Sequence, residues 1–144
     1  RSVELLTTRA GTRTLELPLL GHLTEGLPID VVMPSETISV PESLTRKPDS
    51  YVLRVRGDSM LDQQLQAGDL LIVEDRKTPS NGETVIVILG ESKAYLMSFN
   101  RDRNRAWFQQ ETNTDTRINL NSPNLRVQGI IVGVIRILLK PVLS

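Results

Sequence analysis

The 144-residue chain has no cysteine. Disulfides, thiol catalysis and cysteine-ligated zinc are therefore excluded. It has one histidine, His22, so no multi-histidine metal site can form within one chain. It has no excess charge of either sign: Lys and Arg number 17, Asp and Glu 17. Nucleic-acid modules usually carry a basic surplus, and this chain has none. No apolar run is long enough to span a bilayer, and no secretory leader is visible. The expectation is a soluble, cytoplasmic protein with no membrane contact, no metal and no cofactor. The chain opens at Arg1 without a Met, which suggests a fragment or a trimmed product.

What remains is a β pattern. The length suits one domain with a real core. Residues 1–13, "RSVELLTTRAGTR", are polar and weakly patterned, and read as the end of an interdomain linker. From 14 to 144 short strand-like runs recur: 14–21, 51–57, 69–75, 84–90, 93–99, 105–111, 116–120 and 125–139. The turn signals "AGD", "PSNGE", "NRDRN" and "NSPN" lie between them. Only "SMLDQQLQ" (59–66) has a helical look, and Glu42 to Lys47 adds at most a turn. There is no βαβ rhythm and no internal repeat. The predicted fold is mainly β and mostly antiparallel, with one short helix.

One stretch raises a chemical question. "YVLRVRGDSM" (51–60) runs an alternating strand into Gly57-Asp58-Ser59-Met60. Gly57 permits a sharp exit, and Ser59 would open the short helix, where its N–H lacks a helical partner. Two readings stand. Ser59 is a helix cap, with Asp62 three residues on forming a near capping box. Or it is a displayed nucleophile, which needs a base within about 3 Å and donors for an oxyanion. His22 has no triad signal around it and reads as structural. A neutral lysine is the remaining type of base.

The segments "LPLLGHLTEGLPI" (17–29), "YVLRVRGDSM" (51–60), "AGDLLIVE" (67–74), "NGETVIV" (81–87) and "QGIIVGVIR" (128–136) resemble, in order and spacing, the C-terminal domain of LexA-type repressors. This is the self-cleaving S24 peptidase family, which includes UmuD and phage repressors. The resemblance implies a β-rich fold, a homodimer built through the C-terminal strand, and a separate N-terminal DNA-binding domain that is absent from this chain. It implies a serine, activated by a neutral lysine, that cuts an Ala-Gly bond in the chain's own loop when RecA stabilises the cutting form.

Carried over residue by residue, the nucleophile position is Ser59. The scissile pair is Glu25–Gly26, with glutamate in place of the small alanine. An unpaired carboxylate buried there would cost several kcal/mol. The base falls on Leu96, or on Tyr95 or Met97 if the alignment slips by one. None of the three is a lysine. Lys93 is an odd number of residues from Leu96, so a regular strand points it the other way, and it sits about 10 Å back along the strand. A bulge would reverse the parity.

Two further features complete the reading. "LRVQGIIVGVIRILLKPVLS" is a long apolar β run that would be hazardous as an isolated edge. The resemblance makes it the dimer interface, through Ile130, Val132, Val134 and Arg136; the alternative is a buried central strand. Arg136, inside that run, calls for a carboxylate or carbonyl partner. "FNRDRNRAWF" (99–108) reads as a hairpin turn with solvated arginines, or else a contact for nucleic acid or protein.

Three functions fit. The first is a dimerisation and regulatory domain of a LexA-like regulator that no longer cuts itself. It would reach DNA through the missing domain, with RecA a doubtful partner. The second is an active Ser-Lys self-peptidase, a damage-response switch using Lys93 or another register. The third is an interaction module of the UmuD kind with a polymerase partner.

Overall fold

The structure, a computed structural model, describes residues 4–6, 13–33, 36–45, 47, 49–57, 65–110, 117–119 and 122–137. These form eleven strands: β1 (Glu4–Leu6), β2 (Thr14–Leu23), β3 (Asp30–Val31), β4 (Thr37–Pro41), β5 (Tyr51–Val55), β6 (Leu70–Glu74), β7 (Thr84–Leu89), β8 (Lys93–Arg101), β9 (Ala106–Gln109), β10 (Arg117–Asn119) and β11 (Leu125–Ile135). They join in one hydrogen-bonded network in the order β10-β9-β8-β7-β11-β6-β5-β2-β3, with β1 on β11 and β4 on β2. Most pairings are antiparallel, as expected. The parallel ones are β2 with β5 and β1 with β11.

The central strands are apolar on both faces, and each face has its own cluster. Alternation along a strand sends successive side chains to opposite faces. Leu53 and Val55 of β5, Leu71 and Val73 of β6, Ile86 and Ile88 of β7, and Ala94 and Leu96 of β8 share one face. Val52, Leu70 and Ile72 belong to a second cluster, and Val85, Val87, Met97 and Phe99 to a third, both on the reverse face. This explains why "LLIVE" and "TVIVIL" read as unbroken apolar runs: a strand covered on both sides has no polar face. No helix among the described residues is long and apolar enough to cross a membrane.

β11 lies inside the network. From Leu125 to Ile131 it pairs with β7, from Ile130 to Ile135 with β6, and at Gly133 to Ile135 also with β1. Its backbone thus has strand partners on both sides over its C-terminal part without a second chain. Ile130 is 0% exposed and Val134 4%. Val132 is partly buried. Arg136 donates from Nε and Nη2 to the Asp69 carboxylate at 2.9 and 2.8 Å, the carboxylate partner the sequence called for.

Three strands were not anticipated. β3 has two residues, β4 ends in Pro41, and β1 lies within the stretch read as linker. The helix expected over 59–66 falls largely outside the described residues; Leu65 and Gln66 are not helical, and Gln66 opens the turn that leads into β6.

Candidate functional site

β5 carries the chain toward Ser59. Gly57 leaves the strand with φ +77°, a left-handed conformation suited to glycine. Ser59 itself lies outside the described residues. The two stems of its segment are described and tied together: Val55 N–H donates to the Asp69 carbonyl and Gly68 N–H to the Val55 carbonyl, both at 2.8 Å. Asp69, only 2% exposed, anchors the returning stem. Its carboxylate accepts from Gln66 N–H at 2.8 Å and from Arg136. Burial pushes the Asp69 pKa up, but these hydrogen bonds and the Arg136 charge outweigh it and hold the pKa below the usual carboxylate range. Arg136 therefore braces the stem of the serine segment.

The Glu25–Gly26 pair forms the middle of a tight turn between β2 and β3. Leu27 N–H donates to the Thr24 carbonyl at 3.1 Å, closing a four-residue turn. Gly26 is its third residue with φ +88°, the position where a type II turn requires positive φ. Gly26, expected from the resemblance to sit in the scissile pair, is thus the residue the turn geometry demands.

This turn is docked on two sides. On the β5 side, Arg56 N–H donates to the Leu23 carbonyl at 3.0 Å, and Thr24 Oγ1 to the Arg56 carbonyl at 3.3 Å. Arg56 Nη1 also pairs with Asp30 of β3 at 2.9 Å. On the β8 side, Gly26 N–H donates to the Ala94 carbonyl at 2.8 Å and Ala94 N–H to the Leu27 carbonyl at 3.1 Å. Leu96 N–H donates to the Glu25 carboxylate at 3.2 Å. β9 takes up that edge of β8 only from Ser98 to Arg101, so the turn occupies the stretch β9 leaves open.

Three of the residues singled out by sequence, Glu25, Gly26 and Leu96, are therefore in one place, beside the stem that leads to Ser59. The cost of burying an unpaired carboxylate does not arise at Glu25. It is half-buried, and its carboxylate accepts a backbone N–H. Leu96 is 1% exposed, among Leu23, Val55, Ile86 and Ala94.

β8 pairs with β7 residue for residue from Lys93 to Ser98, with no bulge. Its burial alternates accordingly: Lys93 is exposed, Ala94 buried, Tyr95 intermediate and Leu96 buried. Lys93 lies on the face opposite Leu96. Tyr95 and Met97 pack with the cluster on that reverse face.

His22 sits on β2, next to this turn. It is opposite Arg54 on β5 and Asp30 on β3. Its Nδ1 is buried without a hydrogen-bond partner. Burial, then the charges of Arg56 and Arg54, lower its pKa, while Asp30 and Glu36 offset this only in part. No local pattern signals this environment, because the two arginines reach His22 only through the β2–β5 pairing. No cluster of three His, Cys, Asp or Glu suited to a metal ion occurs among the described residues.

Residues 18–132 match the family model described as Peptidase S24-like. The chain is similar to the LexA repressor of Syntrophotalea carbinolica, 32% identical over 137 residues that make up 94% of this chain and 66% of that protein. It is similar to the LexA repressor of Syntrophobacter fumaroxidans, 30% identical over 94% of this chain and 65% of the relative. It is also similar to that of Halalkalibacterium halodurans, 34% identical over 83% of this chain and 58% of the relative. The chain thus spans somewhat less than two thirds of the length of these relatives. A strand-rich fold, a β2–β3 turn docked against β8, and a family match across most of the sequence agree: the chain belongs to the Peptidase S24-like family.

Proposed function

We propose that this chain is the dimerisation and regulatory domain of a LexA-like transcriptional regulator that has lost self-cleavage. In this reading Ser59 holds the nucleophile position, Glu25–Gly26 replaces the scissile pair, and Leu96 stands where the base lysine would be. The full-length protein binds its operator through a separate N-terminal domain, acts as a homodimer, and answers to a signal other than RecA-stimulated cutting. The observation that carries the reading is the contact between Leu96 N–H and the Glu25 carboxylate. It sets residue 96 of β8 against the turn, and in this reading the aliphatic side chain there offers no proton acceptor. A serine hydroxyl without a partner base loses several orders of magnitude in rate. Lys93, on the opposite face of an unbulged strand, is no substitute.

The test is intact mass after a day at neutral and at strongly alkaline pH, for the native chain and for a Leu96→Lys, Glu25→Ala double variant. A lysine at 96 would sit in an apolar cluster that lowers its pKa, and alkaline pH would complete its deprotonation. We expect the native chain to stay whole and the double variant to split between residues 25 and 26. Cutting of the native chain at that bond would sink the proposal and make the chain a working self-peptidase.

A further inference from the structure

The hairpin that carries the Glu25–Gly26 turn also lines an open-mouthed pocket of about 560 Å³. That volume lies within the range of small-molecule sites. Pro28, Ile29, Val31 and Val32 of the hairpin form part of its wall, and Leu53 and Ile88 of the sheet form another. Ile29 and Leu20 already pack on the cluster to which Leu53 and Ile88 belong, so this surface is apolar and held in place.

The polar groups are few and specific. Tyr51, 7% exposed, contributes its hydroxyl. Gln128 Nε2 donates to that hydroxyl at 3.0 Å. The phenol oxygen accepts that bond, no hydrogen bond donated by this hydroxyl occurs among the described residues, and the Asp75 charge acts on it from the rim. Arg126, exposed at the rim, has no ion pair among them either. Asp75, also at the rim, is paired with Lys77 at 3.0 Å. Asp49 is the remaining rim carboxylate, and it disfavours a ligand with more than one negative charge.

We infer that this pocket binds a small monocarboxylate with an apolar body. The body fills the space between the hairpin and Leu53 and Ile88. The carboxylate accepts from the Tyr51 hydroxyl and pairs with Arg126. Because the hairpin supplies a wall, the ligand binds the docked form of the turn and stabilises it by mass action. Binding does not depend on the loss of cleavage; the ligand's standing as the replacement signal rests on that proposed reading.

The probe is 2-naphthoate, titrated into the native chain by calorimetry and followed by amide exchange over residues 24–32. The expected result is one site per chain, slower exchange in the hairpin, about tenfold weaker binding for Tyr51→Phe from the lost charge-assisted hydrogen bond, and no binding for Ser92→Trp, whose indole would fill the mouth. Met33→Ser, altering an 85% exposed apolar residue outside the pocket lining, is expected to bind normally. Absence of saturable binding at millimolar probe overturns the inference. So does binding that Tyr51→Phe leaves unchanged, or that Met33→Ser removes. The mass assay above reads cleavage alone, so the two ideas fail separately.

Discussion

Leu96 and Lys93 lie three residues apart on β8 and on opposite faces of it. The two-residue period of a strand made that difference legible in the sequence, and the unbroken β7–β8 register removed the bulge that would have reversed it. Glu25 was legible as a candidate site residue but its surroundings were not. Its carboxylate reaches Leu96 N–H from 71 positions away in sequence, and no local pattern encodes such a contact. His22 shows the same limit and yields a prediction. Its lowered pKa means that the unfolded chain takes up a proton at His22 at a higher pH than the folded chain does. The uncharged folded form is favoured above about pH 6.5, and stability falls as pH drops below it. Urea unfolding between about pH 7.5 and about pH 5.5 should show this loss, and His22→Gln should flatten it. Equal slopes in both proteins would count against the assignment.

Strands with strong apolar content were found from sequence to within a few residues: β5, β6, β7 and β8 start within one residue of the expected positions. β1, β3 and β4 were missed. The three and two residues of β1 and β3 give too few positions for a period to emerge, and the five of β4 end in a proline, which weakens a strand signal. The β2–β3 hairpin rests on one close approach. A Cβ added at Gly21 would lie 2.7 Å from the Asp30 carbonyl oxygen and 3.2 Å from Ile29 Cγ2. Gly21→Ala must therefore push β3 away from β2, at a cost of about 1–3 kcal/mol. The amides of Val32 and Gly26, bonded to Leu20 and Ala94, should then exchange faster while those of β6 keep their protection. Unchanged exchange at both amides would show that the hairpin does not depend on that contact.

For the whole molecule, the expected dimer draws on a strand already well covered within one chain. Ile130 and Val134 are core residues, so charges there should unfold the chain. Val132 is only partly buried and faces the reverse side of the sheet. In the proposed dimer Val132→Glu is expected to convert the sedimenting species from dimer to monomer while the far-ultraviolet spectrum is retained. A dimer that persists in a folded Val132→Glu protein would move the interface elsewhere. The fold class was readable from the sequence because short apolar or alternating runs recur between turn signals with no helical period of any length. The strand order was not, since crossovers such as β11 entering between β6 and β7 arise from contacts distant in sequence.

The docked turn also does something for β8 unrelated to peptide chemistry. An open sheet edge is a template on which another molecule's strand can grow. Between Ala94 and Leu96, the bonds from Gly26, Leu27 and Glu25 occupy that template with the chain's own backbone and a charge. A variant that releases the turn would therefore expose a sticky, apolar-flanked ribbon, and its first symptom in solution should be self-association rather than loss of fold.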